Sequence, residues 1–476
     1  MANKVKHVLV LAPGFPPESS IGVRRLESLV RHMTKYGWIP HVVRMDFNEQ
    51  TAEDLDYSSG SDVLKYVVYK STLPKIVLVK KLKSFSSILP QRAWIKKIKV
   101  FFRRLLEMCL RLRLSHQYFY HRFKNTDMKD FNPYLSIEQL QFIEEGELFV
   151  EKYLQKQPVD LILSSSPNLE GHILAFKIKN KFGIKWVADC RDDYAVCNPA
   201  CVPLEKQLLP SADAIISVSN SMASAIGTRV NRKVEVIENG YETIVTESSS
   251  PNSLIAGSGY FNLVYTGTFS GYYRSNIINT DLTMRAISEL IDLDQQNYKD
   301  IRILIYGEAD EVIIPIFSKI YKKYPNLKDR LVACGRVEYA QSLRIQQEAN
   351  MLILFSYLFL NHKDAVNNGT VSGKVYEYLS SLNPILCIPS DHNDLETLLT
   401  EANSGYVGDD IEKAKQFIHR NYENWVNGGA PIRSTSKEFI KRFTREALTE
   451  RYVEFMNQVV DGTYETVHKN PLPRSK

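Results

Sequence analysis

At 476 residues, 44% of them hydrophobic and 24% charged, the chain has the make-up of an ordinary folded protein and exceeds the roughly 250 to 300 residues at which one hydrophobic core stops growing, so two domains are expected. No apolar run approaches the roughly 20 residues of a membrane-spanning helix, and the start MANKVKHVLVLAP lacks the apolar core and small-residue cleavage site of a signal peptide, which points to the cytoplasm. The formal net charge of +6 is local in origin: Lys75 to Arg113 holds twelve Lys or Arg against one acid, Glu107, leaving the remainder of the chain acidic.

In chain order, the apolar run Val8 to Leu11 ends at Ala12-Pro13-Gly14, and apolar residues then recur at Leu26, Leu29, Val30 and Met33, one face of a helix. Gly37 supplies the helix stop, and His41-Val42-Val43 opens a second strand. The same strand, loop, helix, strand grammar returns at VDLILS (159–164), in a helix carrying Leu169, Ile173 and Phe176, in a stop at Gly183 and in a strand ending at Asp189; DAIISVS (213–219) and KVEVIEN (233–239) read as further strands. After a Ser-, Gly- and Pro-containing linker from Ser248 to Gly259 the pattern restarts with NLVYTGT, IRILIYG, LVACG, MLILFS and PILCIPS. Apolar strands alternating with helices predict parallel sheets covered on both faces, with ligand loops at the carboxyl ends of the strands. A last helical stretch, about Thr435 to Val460, is expected to return to the first domain.

One segment, about 75–132, breaks this grammar. Within it Trp94, Ile95, Ile98, Phe101, Phe102, Leu105 and Leu106 fall near one helical face, and Lys96, Lys97, Lys99, Arg103 and Arg104 lie largely elsewhere. Such a helix suits a membrane surface, its cations among anionic headgroups; a packed hairpin with a solvated basic face is the bland alternative, and the cluster has no nucleic-acid recognition motif. The six cysteines show no metal-ligand spacing and read as reduced thiols, and no metal ligand set is expected.

Residues suited to a sugar nucleotide gather in the second half. Such a ligand needs a carboxylate for ribose hydroxyls, cations or a helix N-terminus for phosphate, and a backbone it can approach closely. Gly267 follows the strand NLVYT, and Arg274 a few residues on offers a fork of donors for phosphate oxygens. In NNGTVSGKVYEYLSSLNPILCIP, Ser372 or Gly373 is placed at a helix start, Lys374 in its first turn and Glu377 one turn further.

This last stretch resembles the carboxy-terminal signature of glycosyltransferase family 4, in which a Gly-Lys or similar pair precedes Glu-Tyr-Leu and a Pro-Ile-Leu strand. APGFPPESSIGVRR resembles the family's first glycine-containing loop, DLILSSSPNLEGHILAFKIKNKFGIKWVADCRDDY its acceptor-side segment, VIENGY the end of its first domain, and YTGTFSGYYRS and GRVEYAQSLRIQQEANMLILFS the entry and base-binding portions of the second. The resemblance implies the GT-B architecture, two Rossmann-like domains facing across a cleft: an acceptor-side domain at 1–248 carrying the basic insert, a nucleotide-sugar domain at 249–431, and a returning helix and tail at 432–476. It implies that Glu377 binds the donor ribose, that Arg274 and Lys374 bind the diphosphate, that the turn Gly335-Arg336-Val337 lies beside the base, and that Gly22 in the first loop faces the phosphates. Asp189, Arg191 and Asp192 are the candidates for acceptor or transferred-sugar contacts, with Asp189 or Asp192 as a possible base. Arg24 or Arg25 could equally be helix-surface residues, and both stay outside this set.

Two departures stand beside the resemblance. Where many members carry a first Glu eight positions before the second, this chain has Gly369, and backbone amides around Asn368 to Thr370 are the available substitutes; the segment Asp189 to Asp193 also lacks the His of many relatives. The activity implied is a retaining, metal-independent transfer of a sugar from a nucleotide-sugar co-substrate to a glycan acceptor, with no further cofactor. Joined to the basic insert, it suggests a polyprenyl-diphosphate-linked acceptor in surface polysaccharide assembly, at the inner face of the cell membrane. A sugar-nucleotide epimerase on the same architecture and a non-catalytic nucleotide-sugar-binding or scaffolding subunit are the alternatives.

Overall fold

The computed structural model describes residues 5–15, 21–46, 67–70, 135, 137–165, 169–242, 255, 257–269, 280–356 and 371–465. The predicted basic insert, Arg274, Gly369 and most of the predicted linker lie outside them. Strands are β1 Lys6–Leu11, β2 Trp38–Asp46, β3 Val67–Lys70, β4 Leu161–Ser165, β5 Lys185–Cys190, β6 Ala214–Ser217, β7 Glu235–Val236, β8 Phe261–Thr266, β9 Ile301–Tyr306, β10 Leu331–Ala333, β11 Met351–Leu354, β12 Ile385–Cys387 and β13 Gly405–Val407. The helices of eight or more residues are α1 Ile21–Met33, α2 Ile137–Leu154, α3 Leu169–Phe182, α4 Asn220–Val230, α5 Asp281–Leu293, α6 Asp310–Lys323, α7 Tyr339–Glu348, α8 Gly373–Ser381, α9 Asp394–Glu401, α10 Ile411–Val426 and α11 Arg445–Asp461. None of the described helices is long and apolar enough to cross a membrane.

The chain divides into two compact units, residues 1–18, 37–189 and 198–213 in the first and 19–36, 190–197 and 214–476 in the second. In the first, parallel strands follow the order β3-β2-β1-β4-β5. The chain therefore steps outward from β1, then crosses back to place β4 on the other side of it. Such a reversal opens a crevice at the carboxyl ends of the two central strands. Val8 to Leu11 and Leu161 to Leu163 are fully buried, as strands covered on both faces must be. Helix α3 covers them with Ile173, Leu174 and Ile178. Its Gly171 passes 3.1 Å, measured from a hypothetical Cβ, from the Leu11 carbonyl, so a side chain there would make helix or strand give by a few tenths of an ångström.

The second unit holds the parallel pair β6 and β7 and a six-stranded sheet in the order β10-β9-β8-β11-β12-β13, which reverses direction between β8 and β11. Alternation along each strand assigns its faces. Phe261, Leu263, Tyr265, Ile301, Ile303, Ile305, Met351 and Ile353 join α5, α6 and α10 in one core, whereas Val264, Leu304, Tyr306, Leu352 and Leu354 join α7, α8 and α9 in the other. The parallel α/β class expected from the sequence is what the structure shows. KVEVIEN, expected as a full strand, pairs only over Glu235–Val236, because its continuation leaves the sheet to run along α11.

That continuation is tightly fitted. Tyr241 bridges Thr444 and its amide donates to the Phe443 carbonyl at 3.0 Å. Gly240 lies so close to the same carbonyl and to Leu448 that no Cβ could fit. Helix α1 packs on α11, and Arg25 of α1 donates to the carbonyls of Glu238 and Ile237, to Asn239 Oδ1 and to the Tyr452 hydroxyl.

Candidate functional site

The reversal between β8 and β11 locates the site in the second unit. At the last residue of β8 the sheet has begun to part: the Thr266 amide donates to the Tyr378 hydroxyl, 2.8 Å, instead of to a neighbouring strand. Beyond it comes Gly267, with φ +124°. Its amide donates to the Tyr306 carbonyl, and the Gly307 amide in turn donates to the Gly335 carbonyl, each at 2.8 Å. Three glycines at the ends of adjacent strands thus form a bare backbone rim. Glycine is favoured at Gly267 by φ, and a Cβ there would displace the Lys374 Nζ from its present position against the backbone.

Helix α8 begins at Gly373 with Ser372 as its N-cap, as the sequence placed it, and the Ser372 side chain makes no capping bond. The first-turn amides are therefore left without that side-chain acceptor, and they carry the positive end of the helix dipole. Lys374, the second residue, reaches back to β8. Its ammonium donates to the Tyr265 hydroxyl at 2.7 Å and sits 4.1 Å from the centre of that ring. Tyr265 is held in turn by donating to the Thr268 carbonyl at 2.8 Å.

No carboxylate of the described residues forms an ion pair with Lys374. Burial lowers its pKa to about 7, with the field of Glu377 opposing the shift. A buried ammonium with no ion-pair partner among the described residues, beside a bare glycine rim and a helix N-terminus, is the arrangement a diphosphate would complete.

One turn further along α8, Glu377 is 8% exposed. Its Oε1 accepts from the Tyr339 hydroxyl at 2.9 Å and its Oε2 from Gln346 Nε2 at 3.5 Å. Gln346 Nε2 also donates to Thr266 Oγ1 at 3.0 Å and to Ser342 Oγ at 3.3 Å. Tyr339, Ser342 and Gln346 stand at i, i+3 and i+7 on α7, one polar stripe turned towards α8. The Arg24 guanidinium lies 3.3 Å above the Tyr339 ring. Burial, reinforced by Glu377, pushes the Tyr339 hydroxyl up to about 12, so it remains a donor throughout the physiological range.

The structure therefore brings Gly267, Gly335, Gly373, Lys374 and Glu377 around one strand end. Gly335 turns at φ +69°, followed by an exposed Arg336 and a half-buried Val337. Gly22, expected in a loop, is instead the second residue of α1: the apolar period that begins at Val23 extends helical structure back through it. Asp189 is the last residue but one of β5, in the first unit, 1% exposed, and accepts from Ser165 Oγ at 2.8 Å. Arg191 and Asp192 follow in the second unit, half-buried. The next residue, Asp193, is tied to Arg229 at 2.6 Å and caps the Ala195 amide at 2.9 Å. Among the described residues no cluster of three or more His, Cys, Asp or Glu could hold a metal ion, and Cys201, Cys334 and Cys387 are free thiols.

Sequence reasoning missed Tyr265, Tyr339 and Gln346. Tyr265 was hidden in an apolar strand, and the α7 stripe looked like the wet side of an amphipathic helix; the only available signal was that its polar residues recur at helical spacing on the side that Ile345 shares with the core.

No family model matches the chain, and no curated protein matches it. Solved structures do. The N-terminal domain of Candida albicans trehalose-6-phosphate phosphatase is 13% identical, with 97% of each chain covered and a TM-score of 0.59. Anabaena Alr3699/HepE in complex with UDP and glucose is 11% identical, covering 95% of this chain and all of that one, TM-score 0.55. The lipopolysaccharide outer core galactosyltransferase WaaB is 10% identical, covering 96% and 100%, TM-score 0.53. At these identities the likeness shows the fold: the chain has the two-domain α/β architecture of the GT-B class.

Proposed function

We propose that the chain is a nucleotide-sugar-dependent glycosyltransferase. The observation that carries this reading is the Lys374 ammonium, buried with no carboxylate of the described residues paired to it, held against Gly267 at the N-terminus of α8, with Glu377 fixed one turn away. The diphosphate of the donor fits the first and the ribose diol the second. HepE, a structural neighbour, is seen with UDP and glucose, and WaaB is a galactosyltransferase. Both support a donor of this class.

In the proposed reaction the bond between the sugar's anomeric carbon and the β-phosphate oxygen breaks, and a bond from the acceptor oxygen to that carbon forms. The acceptor's proton passes to the departing diphosphate on the same face, giving retention of configuration. Lys374, the α8 amides and Arg274 offset the charge that grows on the leaving group, so the rate gain comes from placement and electrostatics, with neither a metal nor a protein nucleophile. Asp189, Arg191 and Asp192 are proposed on the acceptor side. The amphipathic, strongly basic stretch at 75–113 supports a lipid-linked glycan acceptor at a membrane surface.

The test is a panel of UDP-, GDP-, ADP- and dTDP-sugars, read by thermal stabilisation of the wild type and of Glu377→Ala, then by nucleotide release with a lipid-linked acceptor extract. Stabilisation by one donor class that is lost in Glu377→Ala, with release that depends on acceptor, supports the reading. Absence of any donor effect, or an effect indifferent to Glu377, overturns it.

A further inference from the structure

The Glu377 carboxylate is steered by two unequal hands. Gln346 shares one amide group among Thr266, Ser342 and Glu377, and its reach to Glu377 is the longest of the three, 3.5 Å. Tyr339 gives its hydroxyl to Glu377 alone, at 2.9 Å. Its ring is clamped by the guanidinium of Arg24, 3.3 Å away, and its backbone by the capping box that opens α7, where the Glu338 amide donates to Gln341 Oε1 at 3.3 Å. A carboxylate on a helix otherwise turns freely about its last torsion. Pinned at one oxygen, it presents its remaining lone pairs in one plane, which is what two adjacent ribose hydroxyls need to donate together.

We infer that Tyr339 is a specificity-determining positioning residue: by fixing Glu377 it makes the site demand a ribonucleoside diphosphate and discriminate against 2′-deoxyribonucleotides, dTDP-sugars included. This rests on the reading of Glu377 as the ribose ligand. A deoxyribose has one hydroxyl to offer, so the second lone-pair site on a fixed, largely buried carboxylate is left unfilled. A site built to hydrogen-bond a hydroxyl rejects the analogue lacking it for that reason. A loosely held carboxylate can turn to satisfy a single hydroxyl and loses that discrimination.

The experiment is calorimetry on the full chain with matched pairs, UDP and 2′-deoxy-UDP, GDP and dGDP, ADP and dADP, for wild type, Tyr339→Phe, Glu377→Ala and the double variant, each checked for an unchanged melting transition. The wild type is expected to favour the ribo form of its preferred base by about 30-fold or more. Tyr339→Phe, which keeps the ring under Arg24, is expected to reduce that ratio to about threefold by weakening the ribo form alone, and the double variant to match Glu377→Ala. A wild-type ratio preserved in Tyr339→Phe overturns the inference while leaving the ribose reading intact. Tighter binding by Tyr339→Phe also overturns it, since Tyr339 would then be occupying the ligand's place. A wild type that binds neither member of any pair, or a Glu377→Ala variant that discriminates as the wild type does, removes the ribose reading and this inference together.

Discussion

Arg25, half-buried, and Lys374, buried, are both cations of the second unit, and they are provided for in opposite ways. Arg25 is richly partnered: two carbonyls, an amide oxygen and a phenol receive its two terminal nitrogens, fastening α1 to the segment before Gly240 and to α11. Lys374 has one neutral hydroxyl, a ring face and no carboxylate within ion-pairing reach among the described residues. A cation with several oxygen partners holds a fold together; one held short of partners is set for a ligand. The contrast predicts that replacing each should fail in a different way.

The largest effect expected is on stability at Arg25. Arg25→Met leaves the Ile237 and Glu238 carbonyls without this donor, at roughly 1–3 kcal/mol for each buried group left unsatisfied. A loss of about 3 kcal/mol or more is expected in denaturant unfolding. Donor affinity of the protein that remains folded should stay within about threefold; a large affinity loss at unchanged stability would erase the distinction between the two cations.

Lys374→Met is expected to do the reverse. Binding of a nucleotide sugar should weaken by about 100-fold or more, about 2.7 kcal/mol, as read by calorimetry. The ligand-free protein should melt a few degrees higher, because a charge that burial disfavours is gone. The sign follows from linkage: the folded pKa, about 7, lies below that of an unfolded lysine, so between pH 7 and 10.5 the unfolded chain binds the extra proton and the wild type gains stability as pH rises. In Lys374→Met this gain should vanish. A variant that binds donor normally would remove the ammonium from the site.

The same shift sharpens the comparison through pH. A nucleotide sugar is a diphosphate diester without a titration near neutrality, so proton uptake on binding reports the protein. Below about pH 7 Lys374 already carries its proton and affinity should be flat. Above it, binding must draw a proton in, and affinity should fall by up to about tenfold per pH unit. Calorimetry in buffers of different ionisation enthalpy measures that uptake; none at pH 8 would mean that the ammonium is charged before the ligand arrives.

The fold was readable in the sequence wherever apolar period and glycine stops coincide. Leu26, Leu29, Val30 and Met33 mark the buried face of α1, Gly37 ends its turn at φ +80°, and Ser372 and Gly373 open α8 where the pattern placed them. Gly267, Lys374 and Glu377 were legible because each lies in a motif whose spacing fixes its position on a strand end or a helix turn. Arg24 and Arg25 were not. They are neighbours in sequence with the same chemistry, and the roughly 100° between consecutive helix residues sends one over the Tyr339 ring and the other into the carbonyls of Ile237 and Glu238. Tyr339 and Gln346 were illegible for a related reason: their partner Glu377 stands on another helix about thirty residues on, and only the tertiary packing of α7 on α8 brings the three together.

Tyr265 is where the smallest effect is expected and where the account of Lys374 is most exposed. Tyr265→Phe keeps the ring beneath the ammonium, and with it the cation–π attraction, but removes the hydroxyl that accepts from Nζ and the bond to the Thr268 carbonyl. An acceptor on a lysine favours its charged form, so losing it should carry the Lys374 pKa further down. Donor affinity should drop by roughly three- to tenfold, about 1 kcal/mol for one hydrogen bond to a charged group in a partly compensated site. The pH at which affinity begins to fall should move to the acid side by less than one unit. The two readouts have to move together: weaker binding with an unmoved pH midpoint would mean that Tyr265 acts through the loop at Thr268, and that the pKa of Lys374 is set by burial and Glu377 without it.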